Sequence, residues 1–199
     1  MWRLLICSVG VTTIKLFRNH RAPVAGALIA VLASSTAQAA TQGTLGSTST
    51  GTVSISATIP ARVQISGLAD FAFGTLDPAT AASTSKNVCV WSNSGTKGYN
   101  ITASGDGGGS GTAFKLSNGT TTLDYGVEWA GSSGQASGTA LTAATAATGF
   151  TSTATTPTCA SGPTSSASLI VKFSTAQMQA AVGSATAYTG TLTLVVAPE

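Results

Sequence analysis

The feature that most constrains this chain is a run of strict alternation that begins near residue 50. The stretch reads GTVSISATIPARVQISG, from Gly51 to Gly67, and every odd position between the two glycines is apolar. Successive side chains of a β-strand point to opposite faces, so the pattern predicts a strand with one apolar face. The thirteen residues from Val53 to Ile65 would extend roughly 40 Å at about 3.3 Å per residue, about twice the usual strand length. One small domain does not ordinarily need a strand of that length.

A proline divides this run. Pro60 has no N–H to donate and does not fit inside a paired ladder. The sequence therefore predicts two strand pieces, Thr52–Ile59 and Ala61–Ser66. The residues before them, from Thr41 to Thr50, are small and polar, which is typical of a flexible lead-in.

The N-terminal residues have the pattern of an export signal. Basic residues precede an apolar run from Ala22 to Ala33, and Ala37-Gln38-Ala39 matches the small-x-small cleavage pattern. The apolar run is shorter than the about 20 residues that a membrane span needs. We therefore predict a secretory signal peptide over residues 1–39, cleaved after Ala39, with an uncleaved anchor as the alternative.

Cleavage would change the charge of the chain. Removing 39 of the 199 residues leaves 160, a length suited to one domain, with five basic and six acidic side chains and a net charge of −1. Recognition of nucleic acid needs a clustered basic face, so we expect no nucleic-acid partner. His20, the single histidine, lies in the leader. Without an imidazole, and with two thiols at most, we expect neither a metal nor a cofactor.

Two cysteines remain beyond the leader, Cys89 and Cys159. In an exported chain an even pair predicts a disulfide, with two free thiols as the alternative. A bond that closes about 70 residues would stabilise the fold by roughly 4 kcal/mol on the chain-entropy model.

Short β-rich segments recur along the rest of the chain. They are Asp70–Pro78, Lys86–Ser92, Tyr99–Gly105, Ala113–Trp129, Ser168–Phe173 and Ala187–Glu199. Asn118-Gly119 is a strong hairpin dipeptide, and Ser174 with Gln177 forms a capping-box pattern that predicts a short helix ending near Gly183. Residues 131–164 are low-complexity and predict long loops with short strands. Many short strands separated by turns predict an all-β antiparallel sandwich.

The carboxylates most suggestive of catalysis are Asp124 and Glu128. Four positions apart on one strand, they would lie about 13 Å from each other, beyond either usual glycosidase separation. They alternate with apolar residues, so we interpret them as the solvent side of a half-buried strand. Two matches to the serine–lysine pattern S-x-x-K, Ser83–Lys86 and Ser94–Lys97, fall in polar loops rather than at a helix start. We expect no enzymatic activity.

Several motifs together carry a family resemblance. They are Phe73-Gly74 with Pro78, then Cys89, Gly98-Tyr99, the hairpin Asn118-Gly119 with Leu123 and Tyr125, and a closing strand from Tyr188 to Val195. In this order they resemble the spore coat protein U-like domain, found in pilus subunits of the archaic chaperone–usher class. The likeness spans about residues 51–199, with a gap in the low-complexity middle. Family members often carry a cysteine where this chain reads Arg62-Val63-Gln64, and this departure leaves Cys159 as the partner of Cys89.

The resemblance implies an immunoglobulin-like sandwich that lacks its last strand and so has an apolar groove. In such pilins a periplasmic chaperone fills the groove first, and the N-terminal extension of the next subunit replaces it at the outer-membrane usher. On this reading residues 40–50 are the lead-in, 51–59 the donor strand and 60–199 the sandwich domain. The implied donor residues are Val53, Ile55, Ala57 and Ile59. The implied groove- and chaperone-facing residues of the C-terminal strand are Tyr188, Leu192, Leu194 and Val196.

The function implied by this resemblance is a structural subunit of a surface pilus. The chain would pass through the periplasm to the cell surface, join neighbouring subunits by donor-strand exchange and contribute to adhesion or biofilm formation. The alternative is a self-contained secreted sandwich that acts as a binding module or coat-matrix protein. In that case the whole first strand would pair inside its own domain.

Overall fold

The structure, a computed structural model, describes residues 40–106 and 113–199. The predicted signal peptide lies outside the described residues. The chain divides into two compact units, Met1–Ser56 and Ala57–Glu199. No helix in the described part is long and apolar enough to cross a membrane.

The described part of the first unit is a short polar turn. Thr41 and Thr52 form an isolated antiparallel bridge, with N···O distances of 2.9 and 3.0 Å. Residues 40–56 are exposed throughout. The predicted strand Thr52–Ile59 is not formed, since residues 53–59 are exposed and have no regular secondary structure.

The described residues of the second unit form ten strands and one short helix. They are β1 (Val63–Ser66), β2 (Ala82–Ser92), β3 (Gly98–Gly105), β4 (Lys115–Ser117), β5 (Thr122–Asp124), β6 (Gly126–Ala130), β7 (Thr139–Ala140), β8 (Ala146–Thr151), β9 (Ala167–Phe173), α1 (Thr175–Ala180) and β10 (Leu192–Pro198). Every pairing is antiparallel. One sheet has the order β1-β2-β9-β6-β7, a second has the order β10-β3-β8, and β4 with β5 forms a separate hairpin.

The two larger sheets enclose one apolar core. Trp129, Tyr99 and Ile101 are its largest fully buried side chains. Trp129 and Tyr99 meet edge to face, with ring centroids 6.4 Å apart, and the indole Nε1–H donates to the tyrosine hydroxyl at 3.1 Å. The hydrogen bond offsets the cost of removing both polar atoms from water.

The predicted disulfide is confirmed. Cys89 on β2 is bonded to Cys159 in the loop before β9, with a Cα–Cα distance of 5.9 Å. Cys89 also pairs with Ser66 on β1, so the bond attaches the loop to the β1–β2 edge of the larger sheet. The loop carries almost no secondary structure of its own, and the bond therefore supplies its long-range connection to the sheet.

The strand order is that of an immunoglobulin-type sandwich. In the constant-type arrangement one sheet has the order A-B-E-D, and the other contains strands C, F and G. Here β1-β2-β9-β6 corresponds to A-B-E-D, and β3 with β10 corresponds to C with F. Among the described residues, no strand occupies the position of G beside β10. The predicted all-β, immunoglobulin-like antiparallel sandwich is confirmed.

Some local predictions hold and others do not. The capping box is confirmed, since the Ser174 side chain accepts from the Gln177 backbone and the Gln177 side chain accepts from the Ser174 backbone. The helix ends at Ala180, earlier than predicted. Asp70–Pro78 was expected to be a strand and is not one, because its backbone lies along an open groove without a described pairing partner.

Candidate strand-binding groove

An apolar groove of about 460 Å³ opens beside β10. Three elements form it: the segment that follows β1, the inward face of β9, and the start of β10. Its principal lining residues are Leu68, Phe71, Phe73, Leu169, Val171, Phe173, Leu192 and Leu194, with Tyr125 and Leu116 from the hairpin region. The groove lies entirely within the second unit.

Aromatic rings form one end of the groove floor. Phe73 meets Phe173 edge to face, with ring centroids 4.8 Å apart, and Tyr125 lies 6.1 Å from Phe173. Such offset and edge contacts are favoured geometries for aromatic pairs. Phe71 stacks on Phe73 at 6.4 Å and continues the wall toward the rim. The floor is therefore built from side chains whose positions are set by mutual packing.

The edge of β10 that faces away from β3 has no strand paired to it among the described residues. The Asp106 backbone N–H donates to the Thr191 carbonyl at 3.2 Å, and the Thr191 N–H donates to the Asp106 carboxylate at 2.6 Å. Backbone groups alternate sides along a strand, so those of Leu192, Leu194 and Val196 face away from β3. The side chains of Leu192 and Leu194 line the groove. An unpaired strand edge and an apolar surface thus occur together.

The opposite wall also has unused backbone groups. No backbone hydrogen bond joins residues 68–73 to another residue of the described chain. Exposed backbone on a groove rim can pair with an added strand, which needs hydrogen-bond partners along its length. Both rims of the groove therefore offer main-chain donors and acceptors.

The groove has few charged groups. Asp70 is the one charged residue among those that line it. Burial raises the pKa of Tyr125 to about 12, and the nearby Asp106 carboxylate adds to the rise. Hydrogen bonds from Thr191 lower the pKa of the exposed Asp106 carboxyl. Near neutral pH the tyrosine is a neutral phenol, and the floor is suited to an apolar occupant.

The residues predicted as donors are exposed in the first unit and at the start of the second. The exposed fraction is 73% for Val53, 91% for Ile55 and 82% for Ile59, and Ala57 is also exposed. Large aliphatic side chains at three alternate positions, all in water, form a continuous apolar surface if the segment is extended. An exposed apolar stripe of this kind marks an interaction site.

The residues predicted on the C-terminal strand have different positions. Leu192 and Leu194 line the groove, and Val196 packs half-buried against the core. Tyr188 precedes β10, and its hydroxyl lies 2.7 Å from Thr121 Oγ1 and donates to the Val182 carbonyl at 2.6 Å. Tyr188 therefore stabilises the approach to β10 and is not among the groove-lining residues.

The sequence prediction missed the other two walls. Phe71 and Phe73 come from a segment expected to be a strand and Leu68 from the turn expected before it. Leu169 and Val171 come from a predicted strand that the sequence did not connect with the groove. The alternation of Phe71 and Phe73 was the available signal for an apolar wall. Nothing local in the sequence indicates that β9 remains uncovered at this point.

The two carboxylates considered for catalysis lie in separate ion pairs. Asp124 on β5 accepts from Lys115 at 2.6 Å, and Glu128 on β6 accepts from Lys172 at 2.7 Å. The hydrogen bond from Lys172 holds the pKa of Glu128 below its usual value. Each carboxylate has its own cationic partner, an arrangement that stabilises strands.

The two serine–lysine matches have no catalytic geometry. Ser83–Lys86 was expected in a loop but lies within β2, where residues three apart point to opposite faces. Ser94–Lys97 lies in the turn before β3, and the Ser94 hydroxyl donates to the Gly98 carbonyl at 3.1 Å. No group of three metal-ligating side chains occurs in residues 40–106 and 113–199.

Comparison with known proteins yields a distant structural similarity. No protein-family model matches the chain, and no curated protein matches it. One solved structure that is similar is the crystal structure of the CsuC–CsuE chaperone–tip adhesion subunit pre-assembly complex, from archaic chaperone–usher Csu pili of Acinetobacter baumannii. The similarity covers 70% of this chain at 16% identity, with a TM-score of 0.40. The chain spans 40% of the length of that chain.

Proposed function

We propose that this chain is a structural subunit of a surface pilus whose copies join by strand donation. The segment Thr52–Ile59 of one copy would fill the groove beside β10 of the next. The observation that carries this proposal is the coincidence of an apolar groove with the unpaired edge of β10, at the place where an immunoglobulin-type sandwich has strand G.

The donor segment and the groove match in pattern and length. A strand added to β10 would pair with the outward backbone groups of Leu192, Leu194 and Val196, while its alternate side chains enter the groove. The seven residues from Val53 to Ile59 equal the seven of β10. At about 3.3 Å per residue both extend roughly 20 Å. The apolar odd positions then face the groove, and the polar even positions face water.

Two contributions favour binding of the donor segment in the groove. Burial of each of Val53, Ile55 and Ile59 favours binding by about 1.5–3 kcal/mol before the cost of ordering the segment. The backbone of the segment would also gain a ladder of hydrogen bonds along β10. Strand addition of this kind is a general mode of recognition in which the main chain supplies affinity and side-chain pockets supply specificity.

An open apolar groove also explains the need for assembly factors. Exposed apolar surface and an unpaired edge promote aggregation, so a subunit in transit needs a temporary cover. On this proposal a periplasmic chaperone covers the groove, and an outer-membrane usher exchanges it for the next subunit. The chain then reaches the cell surface, where the fibre serves adhesion or biofilm formation. Its role is structural rather than enzymatic.

The test is fibre formation by donor variants. Ile55→Asp would place a carboxylate in the apolar groove, at a cost of several kcal/mol. The matched control, Ser56→Asp, introduces the same charge on the opposite face of the same segment. We expect Ile55→Asp to abolish ladders of joined subunits on gels run without boiling, and Ser56→Asp to retain them.

The same variants separate the proposal from a self-contained sandwich. The chaperone-bound subunit of Ile55→Asp should be as abundant and as stable as the wild type, because the segment contributes to a neighbour. If Ile55→Asp instead abolishes the soluble subunit, the segment belongs to its own domain and the chain is a self-contained secreted module.

A further inference from the structure

Asn93 holds the backbone at the point where the donor segment joins the sandwich. It follows β2 directly, and its backbone N–H donates to the Arg62 carbonyl at 3.1 Å. Its side chain makes two more bonds to the same segment. Nδ2 donates to the Pro60 carbonyl at 3.1 Å, and Oδ1 accepts from the Arg62 N–H. One residue therefore makes three hydrogen bonds to residues 60–62.

The chemistry of these contacts requires a side chain with both a donor and an acceptor. A carbonyl can only accept, so the nitrogen of the Asn93 amide must face Pro60. The Arg62 N–H can only donate, so the amide oxygen must face Arg62. An asparagine satisfies both, whereas an aspartate keeps the acceptor and loses the donor. At the end of the β1–β2 ladder this amide takes the place of a further backbone pair.

Pro60 adds stiffness at the same position. Its ring fixes its own φ near −65°, and its Cδ restricts the preceding residue, Ile59, to extended backbone. Ile59 is the last apolar residue of the proposed donor segment. Pro60, whose carbonyl accepts from the Asn93 side chain, follows Ile59 directly, so no unrestrained residue lies between the two.

We propose that Asn93 is a positioning residue that makes the joint between consecutive copies stiff. This inference rests on the proposed strand donation. When Ile59 is bound in the groove of a neighbouring copy and Pro60 is hydrogen-bonded to Asn93 of its own copy, no residue of the link can rotate freely. The direction in which each donor segment leaves its sandwich then sets a constant angle between consecutive subunits, and the fibre resists bending.

The test uses two substitutions at Asn93 and one control. Asn93→Ala removes both side-chain bonds. Asn93→Asp keeps the bond from the Arg62 N–H but sets a carboxylate oxygen against the Pro60 carbonyl. Asn87→Ala is the control, because Asn87 lies on β2, which Asn93 follows, and its side chain also makes two hydrogen bonds, accepting from the Gly134 N–H and the Ser168 hydroxyl.

Two measurements give the expected results. In the full-length subunit, hydrogen exchange at the Arg62 amide should become about fivefold faster in Asn93→Ala, the factor for losing one ordinary hydrogen bond. It should stay slow in Asn93→Asp and in the control. In electron micrographs of assembled fibres, both Asn93 variants should show a shorter persistence length at unchanged yield, and Asn87→Ala should match the wild type.

The outcomes distinguish this inference from the function on which it rests. Fibres of unchanged persistence length from both Asn93 variants would overturn the positioning role and leave strand donation standing. If the wild-type chain forms no fibres with its assembly factors, strand donation fails, and the stiff joint fails with it. A lower melting temperature in Asn93→Ala together with fibres as straight as the wild type would identify a merely structural role.

Discussion

Phe73 and Phe173 meet edge to face, with ring centroids 4.8 Å apart and planes at 88°, on the floor of the groove beside β10. One ring belongs to the irregular segment after β1 and the other to the last residue of β9. Their contact fixes the irregular segment at the side of the groove even though that segment makes no backbone pairing of its own. The groove therefore exists before any partner arrives.

Strand β10 should tolerate a charged residue on its solvent face but not on the face that lines the groove. Leu194→Asp would put a carboxylate among apolar side chains and should prevent a copy from accepting a donor strand. Thr193→Asp, the adjacent exposed position, should leave acceptance intact because its side chain faces solvent. Mixing each variant with wild-type subunits and counting the joined species measures this directly. Equal loss in both variants would contradict a face-specific groove.

A free donor peptide should stabilise the subunit. A synthetic peptide of residues 51–60 should bind the folded groove and not the unfolded chain, so the melting temperature should rise with the logarithm of the peptide concentration above the dissociation constant. The same peptide with Ile55→Asp should leave the melting temperature unchanged. A rise with both peptides would indicate binding that does not depend on the apolar face.

Loss of the disulfide should destabilise the domain. Replacement of Cys89 and Cys159 together by serine releases a loop of 70 residues and should lower the free energy of unfolding by roughly 4 kcal/mol on the chain-entropy model. Chemical denaturation of the wild type, with and without a reductant, is the comparison. The reduced wild type and the double variant should unfold at similar denaturant concentrations, and the reductant should not affect the variant.

The ion pair between Glu128 and Lys172 predicts a modest dependence of stability on pH. The hydrogen bond from Lys172 lowers the pKa of Glu128 in the folded state from its usual 4.5. Because the folded pKa is depressed, the contribution is complete above pH 4.5 and is lost as the pH falls through the folded value. The pair is partly exposed, so we expect about 1 kcal/mol or less.

Glu128→Gln tests this ion pair because it replaces the titrating carboxyl group with a neutral amide. The variant should be less stable than the wild type at neutral pH, and the difference should shrink as the pH is lowered below 4.5. Lys172→Gln should show the same convergence, since it removes the partner. A difference that stays constant from neutral to acid pH would show that packing rather than charge is responsible.

Local patterns in the sequence determined much of the fold. Period-two alternation predicts that Val63 and Ile65 face the core from β1, and both pack against it. Asn118-Gly119 predicts a hairpin, and β4 and β5 form one around residues 118–121, where Gly119 has a positive φ of 89°. The capping box at Ser174 begins α1. Each depends on residues only a few positions apart, where backbone sterics and short-range hydrogen bonds act.

The candidate site depended on contacts between distant residues. The sequence distinguished the exposed alternating segment, but it did not show that Leu68–Phe73 would lie unpaired opposite β10 or that β9 would be uncovered between them. Nor did it show that Asn93 would reach back to Pro60 and Arg62. Residue type and spacing describe which face of an element is apolar. Which edge remains unpaired depends on the order in which strands come together, and that is decided only when the whole sandwich packs.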